Sequence, residues 1–151
     1  MISFADILAK AEKNAGGADE LAARMPEIKA NDKLRKIPAA DYFSAMSFRI
    51  FSTGLKQTMV RNKWPAFEEA FHNFEPTKVA FMSEDEISAL MENTAIIRHL
   101  GKIRATHHNA LAIIDVEKGH GSIGNYLADW PASNMVGLYE DIKKTLQTAW
   151  R

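Results

Sequence analysis

The chain is 151 residues long, with 46% hydrophobic and 25% charged residues. That is the composition of a soluble globular chain, and the length suffices for one compact domain with a buried core. Lys and Arg total 19 and so do Asp and Glu, so net charge gives no pointer to nucleic acid or membrane, and the absence of cysteine excludes disulfides, a thiol nucleophile and Cys-ligated zinc.

The start "MISFADILAKAEKNAGG" mixes acids and lysines and lacks a long apolar run, so it does not read as a secretory signal. No apolar stretch approaches the roughly 20 residues that a membrane-spanning helix needs. A cytoplasmic location is the expectation that follows.

Apolar residues recur at helical spacing along the whole chain and no alternating β-branched run appears, so the predicted class is all-α, a compact multi-helix single domain over 1–151. Ile2 to Lys13 reads as a first helix ended by Gly16 and Gly17, and Ala18 to Met25 as a short second one stopped before Pro26. "EIKANDKLRKIP" reads as a connection with some helical turn. Ala39 to Phe51 is apolar on most of its circumference, which predicts a central, buried helix in which Arg49 is the residue that needs a reason. Gly54 suits its C-cap.

Leu55 to Trp64 is the next predicted helix, broken or redirected at Trp64-Pro65. "PAFEEAFHNF" continues to Glu75-Pro76 with Phe67, Ala70, Phe71 and Phe74 on one side. Ser83 followed by Glu86 is a capping box ahead of Ile87, Leu90 and Met91. After Asn93 a turn leads to a longer helix ended by Gly119 and Gly121. A short helix to Asp129, a loop through Pro131, and a final helix from about Val136 complete the chain.

Charge is unevenly placed. Tyr42 to Phe67 and Asn93 to Ile114 contain no acid, and the first carries Arg49, Lys56, Arg61 and Lys63, the second Arg98, Lys102 and Arg104. Glu68 to Glu92 holds seven acids against the single Lys78, so two basic segments lying side by side would give a neutral protein a positive face able to track phosphates. The alternative is that these charges only solvate helix faces.

His99, His107 and His108 are weak metal ligands on paper: adjacent residues on a helix point about 100° apart, and no carboxylate one turn away completes a zinc-like set. His72 and His120 read as surface or capping residues. Trp64, Phe67, Phe71, Phe74 and Phe81 at helical spacing read as core. Nucleophile-elbow, P-loop and dinucleotide glycine patterns are missing, and Glu68-Glu69 and Glu84-Asp85-Glu86 read as an exposed face and a helix start.

From Tyr42 to Ala112 the text is more specific. Phe74-Glu75-Pro76, Lys78-Val79-Ala80, Ile96-Ile97-Arg98, Lys102-Ile103, Ala105 and Asn109-Ala110 match the run F-[DE]-P-x-K-V-A, acidic capped helix, I-I-R-x-x-x-K-I-x-A and N-A. In this the chain resembles the DNA-3-methyladenine glycosylase I family, all-α enzymes of the helix-hairpin-helix glycosylase superfamily. "GNYLADWPASNMVGLYEDIKK" is similar to a divergent bacterial branch and extends the resemblance to about residues 37–144.

The resemblance implies base-excision repair: extrusion of an alkylated base from double-stranded DNA into a pocket, and hydrolysis of its glycosidic bond. It implies a base pocket at Arg49, Phe51, Ser52 and Gln57, and DNA-backbone contacts from Arg98, His99, Lys102 and Arg104. The family's L-E-G-x-Q-A-G-L-S-W aligns with "FRIFSTGLKQ", where Arg49 stands in place of the glutamate, Ser52 of the glutamine and Gln57 of the tryptophan. A guanidinium there repels a cationic base, so Asp41 and Asp129 are the candidate catalytic carboxylates, or else the partners of Arg49.

The cysteines and histidines that form the family's zinc clasp are absent, so no metal or cofactor is expected. "TLQTAWR" ends where relatives continue into closing helices, which reads as a shortened relative or an incomplete chain. Two alternatives stay open beside excision: a DNA-binding module without catalysis, and a protein-interaction or homo-oligomeric domain with an uncovered apolar surface.

Overall fold

The computed structural model describes residues 2–25 and 29–146, which form helices and turns with no strand among them. The all-α prediction holds. Two compact units divide the chain, residues 1–30 and 31–151. In the first, helix α1 (Phe4–Ala15) starts on a reciprocal cap in which Ser3 Oγ accepts from the Asp6 N–H and the Asp6 carboxylate accepts from the Ser3 N–H. It stops at Gly16, whose φ of 100° is left-handed. At the end of α2 (Ala18–Arg24) the Arg24 guanidinium donates to the Ala15 carbonyl at 2.8 Å, closing the helical hairpin.

The second unit contains α3 (Asn31–Lys36), α4 (Ala39–Ser52), α5 (Gln57–Ala70), α6 (Pro76–Ala80), α7 (Glu84–Ala89), α8 (Leu100–His120), α9 (Ile123–Asp129) and α10 (Met135–Thr145), with 3₁₀ turns at His72–Phe74 and Ala132–Asn134. The helical turn expected within "EIKANDKLRKIP" is α3; residues 26–28 of that connection lie outside the described residues, as does the chain end from 147. No described helix is long and apolar enough to cross a membrane.

The core is built on rings from α4, α5 and the turn after α5. Phe43, Phe51, Phe67, Phe71 and Phe74 are all fully buried. Trp64 stacks on Phe74 with centroids 5.1 Å apart and an interplanar angle of 6°, and Phe71 stacks on Phe74 at 5.6 Å. Of the rings expected in the core, Phe81 is the exception: it follows α6 at the surface, 85% exposed.

Two further expectations change. Helix α5 runs through Pro65 unbroken. The lost amide costs one bond to the Arg61 carbonyl, but Pro65 and Arg61 both lie on the exposed side of the helix, where water can satisfy that carbonyl, while Trp64 and Phe67 hold the other side in the ring stack. Helix α4 is not buried around most of its girth: Phe43, Ser47 and Phe51 form one buried line, and Asp41, Ala45 and Arg49 are exposed. It is the amphipathic wall of the cavities described below.

Helix α8 is the spine of this unit, burying Ile103, Thr106, Asn109, Ala110 and Ile113 along one line. It ends at His120 with Gly121 as cap at φ 77°. Helices α3 and α9 touch backbone to backbone: a Cβ on Gly124 would sit 2.5 Å from the Leu34 carbonyl oxygen and 3.0 Å from Arg35 Cα. Gly124→Ala is therefore expected to lower stability by about 1–3 kcal/mol from overpacking, against the usual helix-propensity gain of about 1 kcal/mol for replacing glycine. Denaturant titration checks the sign.

Asp129 closes the same contact. Its carboxylate pairs with the Arg35 guanidinium, which also donates to Asn125 Oδ1 at 3.2 Å, while Asn31 donates to the Ala128 carbonyl at 2.9 Å. The hydrogen bond from Arg35 holds the Asp129 carboxyl below the ordinary value of 3.8. A depressed carboxylate contributes stability above its unfolded pKa and loses it as pH falls through the folded one. Acidification below about pH 4 is thus expected to cost the native chain more than Asp129→Asn, read as melting temperature against pH.

Candidate nucleic-acid interface and base site

Three cavities lie against α4, and Arg49 lines all of them. Between α4 and α5 opens a space of about 640 Å³ lined by Ala40, Asp41, Ser44, Ala45, Phe48 and Arg49 from α4, by Arg61, Trp64 and Glu68 from α5, and by Asn73. The other two are apolar. One, about 300 Å³, runs from Tyr42 and Met46 past Ile113 and Tyr126 to Ile142 and Leu146; the second, about 340 Å³, includes Ile50, Asn109, Tyr139 and Lys143. Tyr126 ties α9 to α10 there, its hydroxyl donating to Asp141 at 2.7 Å, and burial pushes that phenol well above its usual range.

The α4–α5 cavity is the chemically furnished one. Residues 41, 44, 45, 48 and 49 fall on one helical face, as do 61, 64 and 68, so each helix turns one mixed charged and aromatic stripe to the space. The Arg61 guanidinium sits 5.2 Å above the Phe48 ring, a cation–π contact. The Phe48 ring meets Trp64 edge-on, and Trp64 Nε1 donates to Ser44 Oγ at 3.0 Å. The side chains of Asp41, Arg49 and Glu68 make no hydrogen bond or ion pair among the described residues. Two cations and two anions thus share a space without neutralising each other directly.

Asn73 reaches this cavity from a strained turn. His72, Asn73 and Phe74 have φ of 52°, 55° and 55°, a left-handed run that is uncommon outside glycine and least comfortable for a bulky ring. Buried aromatic contacts around Phe74 hold it in place.

The four residues expected at the base pocket do not converge. Arg49 lines the cavities. Phe51 is fully buried in the ring core, 4.4 Å from Phe67. Ser52 lies at the end of α4 with a buried Oγ that has no hydrogen-bond partner, and Gln57 is exposed at the start of α5, lining none of the three cavities. Of the two candidate carboxylates, Asp41 lies at the α4–α5 cavity with Arg49, whereas Asp129 is committed to Arg35 on the α3–α9 contact. Neither is the partner of Arg49.

The basic segments do meet, and the meeting consumes part of their charge. Lys63 on α5 donates to the Thr94 and Ala95 carbonyls at 3.2 and 2.9 Å, holding the turn between α7 and α8. Lys102 is turned inward, 3% exposed, and its ammonium donates to the Phe51 and Thr53 carbonyls at 3.1 and 2.7 Å. The expectation of Lys102 on an outward basic face is corrected accordingly: it caps the C-terminus of α4, where carbonyls and helix dipole both favour a cation.

His99 is the N-cap of α8, with Nδ1 accepting from the Lys102 N–H at 3.3 Å. Arg104 pairs with Glu84 at 3.2 Å with both side chains mostly in solvent. Arg98 is exposed, and its guanidinium makes no hydrogen bond or ion pair among the described residues. His107 contacts the Ala80 carbonyl through Nε2, and no group of three His, Asp or Glu among the described residues is placed to hold a metal ion.

Glu68, Arg61, Trp64 and Asn73 were not foreseen as site residues. The signal for the first three was present as 3- and 4-residue spacing opposite the 41–49 stripe of α4. No spacing announces Asn73.

The family model described as methyladenine glycosylase matches residues 35–149. A DNA-3-methyladenine glycosylase of Haemophilus influenzae is 34% identical over 89 residues, 59% of this chain and 47% of that protein. DNA-3-methyladenine glycosylase 1 of Escherichia coli is 40% identical over 65 residues, 43% of this chain and 35% of that protein. The chain therefore spans half or less of these curated relatives. Among solved structures, a 3-methyladenine DNA glycosylase I variant in complex with 3-methyladenine aligns with TM-score 0.66 and 25% identity, covering 74% of this chain and 70% of that one. The Staphylococcus aureus enzyme, solved to explain 3-methyladenine recognition, aligns with TM-score 0.57 and 31% identity over 59% of this chain and 47% of that one.

Proposed function

The chain belongs to the methyladenine glycosylase family, and on that premise we propose that it is a DNA N-glycosylase that releases an alkylated purine of the 3-methyladenine type. The observation that carries the proposal is the α4–α5 cavity, where Asp41 and Glu68 stand unpaired beside Arg49 and Arg61.

Glycosidic hydrolysis breaks the bond from C1′ to the base nitrogen, and the electron pair leaves with the base. Positive charge develops on the sugar, water oxygen bonds to C1′, and the proton that water gives up needs an acceptor. A 3-alkylated adenine is already cationic and leaves neutral, so protonating it is unnecessary and what helps is counter-charge to the sugar and an acceptor for the water proton. Carboxylates supply both. Two of them offset the two arginines, which alone would oppose such a transition state.

The exposed Arg98, with Arg104 and the α8 N-terminus capped by His99, is the surface suited to phosphates, and binding there weakens as salt rises.

Alkylated duplex incubated with the chain should yield free methylated base by chromatography. Absence of release beside a competent relative overturns the proposal, and salt-sensitive duplex binding without release would leave a binding module in its place. Asp41→Asn or Glu68→Gln should each slow release about tenfold, about 1.4 kcal/mol in the barrier.

A further inference from the structure

The α4–α5 cavity also carries information about which base it takes, a point that rests on the glycosylase reading only for the base being delivered by DNA. We infer that this cavity selects a guanine-type base, one with a 6-oxo and a 2-amino group, Arg49 donating to O6 and N7 and a carboxylate of the cavity accepting from N1–H and the 2-amino group.

The argument is one of paired donors and acceptors. A guanidinium offers only donors, in a planar fork, and a carboxylate offers only acceptors, two side by side. Arg49, Asp41 and Glu68 reach the cavity with their side chains unengaged. A ligand that satisfies both kinds at once must present two adjacent acceptors on one edge and two adjacent donors on another. Guanine does, with O6 beside N7 and N1–H beside the 2-amino group; adenine sets its N6 donor next to the N7 acceptor and meets each fork with half of it.

Scale agrees. Asp41 and Arg49 are eight residues apart on one face of α4, about 12 Å along the axis, a span that a bicyclic base read on two adjoining edges, with a hydrogen bond of about 3 Å on each, can bridge. Glu68 faces the same space from α5. The Arg61 guanidinium over Phe48 adds a flat surface for the base to lie on.

A guanine-type base can arrive unpaired from a duplex or as a free nucleotide, and two titrations of the full chain separate these sources. Calorimetry with GMP and AMP reads the free nucleotide; duplexes carrying guanine or adenine opposite an abasic site read the base in DNA. A preference for guanine of about tenfold in either arm supports the inference and identifies the source. Equal affinity for the two bases in both arms overturns it.

In the arm that shows the preference, Arg49→Met and Arg49→Lys should abolish it, the lysine keeping the charge but not the fork; Arg49 is exposed, and circular dichroism checks the fold. A preference that survives Arg49→Lys also overturns the inference. Base release is not measured in either arm. A chain that excises methylated adenine yet shows no guanine preference fails here alone, and one that prefers guanine but releases nothing fails only as a glycosylase.

Discussion

Phe74→Ala is expected to cost about 3–5 kcal/mol of stability, the range for deleting a buried aromatic ring. Phe74 is fully buried, packs its edge against Phe43 at 5.6 Å and lies flat against both Trp64 and Phe71. It does so from a left-handed backbone at φ 55°, which a side chain with a Cβ resists by about 1–2 kcal/mol. The rings therefore hold a conformation that the local chain disfavours.

That reading makes a second comparison decisive. Phe74→Gly loses the same ring but relieves the left-handed strain, so it should be no more destabilising than Phe74→Ala, reversing the usual order of glycine and alanine. Urea midpoints of the two variants decide it; an alanine variant clearly more stable than the glycine one would show that the turn is not strained. Because Asn73 lines the α4–α5 cavity from the same turn, both variants should weaken base binding even where the fold survives.

What was legible in the sequence follows how local each cause is. The Ser83–Glu86 capping box, the Gly121 stop and the ring spacing from Trp64 to Phe74 are set within a few residues, and the structure has them where the spacing puts them; the C-cap of α4 is Thr53, one residue before Gly54, and Gly119 lies inside α8. Pro65 misled because a proline in a helix is destabilising on average, while here the carbonyl it orphans faces solvent. Phe81 misled because helical spacing does not say where a helix stops: α6 ends at Ala80 and releases the ring.

The site was only half legible. Arg49 stood out as a charge in an apolar helix, and it does line the cavities. The company it keeps was hidden, because Asp41 and Glu68 are 27 residues apart and meet only through the packing of α4 on α5. Phe51 and Ser52 follow only from the resemblance to a motif that this chain no longer spells, and no local spacing tells that Phe51 is buried in the ring core or that the Ser52 hydroxyl lies buried at the end of α4. Lys102 carried an unread signal: 102, 106, 109 and 113 follow a 4-3-4 spacing, so the lysine lies on the same line as the buried Thr106, Asn109 and Ile113.

Lys102→Met tests what a buried cation does on that line. The swap preserves length and removes the charge, but leaves the Phe51 carbonyl, inside the fold, and the Thr53 carbonyl without their donor. An unsatisfied buried acceptor costs about 1–3 kcal/mol, and loss of a cation at the C-terminus of α4 adds about 0.3–1 kcal/mol. Relief of the ammonium's desolvation works the other way. Carbonyl loss should win, giving a net destabilisation of about 2 kcal/mol and a loosened α4–α8 contact, seen as faster amide exchange in the last turn of α4.

The pH dependence separates the two contributions. Burial lowers the Lys102 ammonium below its ordinary 10.5, so in the window just under that value the unfolded chain binds more protons than the folded one, and this group makes stability rise with pH. The neutral amine still has two hydrogens for the two carbonyls. The native chain should therefore gain stability relative to Lys102→Met as pH climbs toward 10.5. A difference between the two that stays flat across that window would mean that the ammonium keeps its proton equally well folded and unfolded, and that its bonds to the α4 carbonyls fully offset its burial.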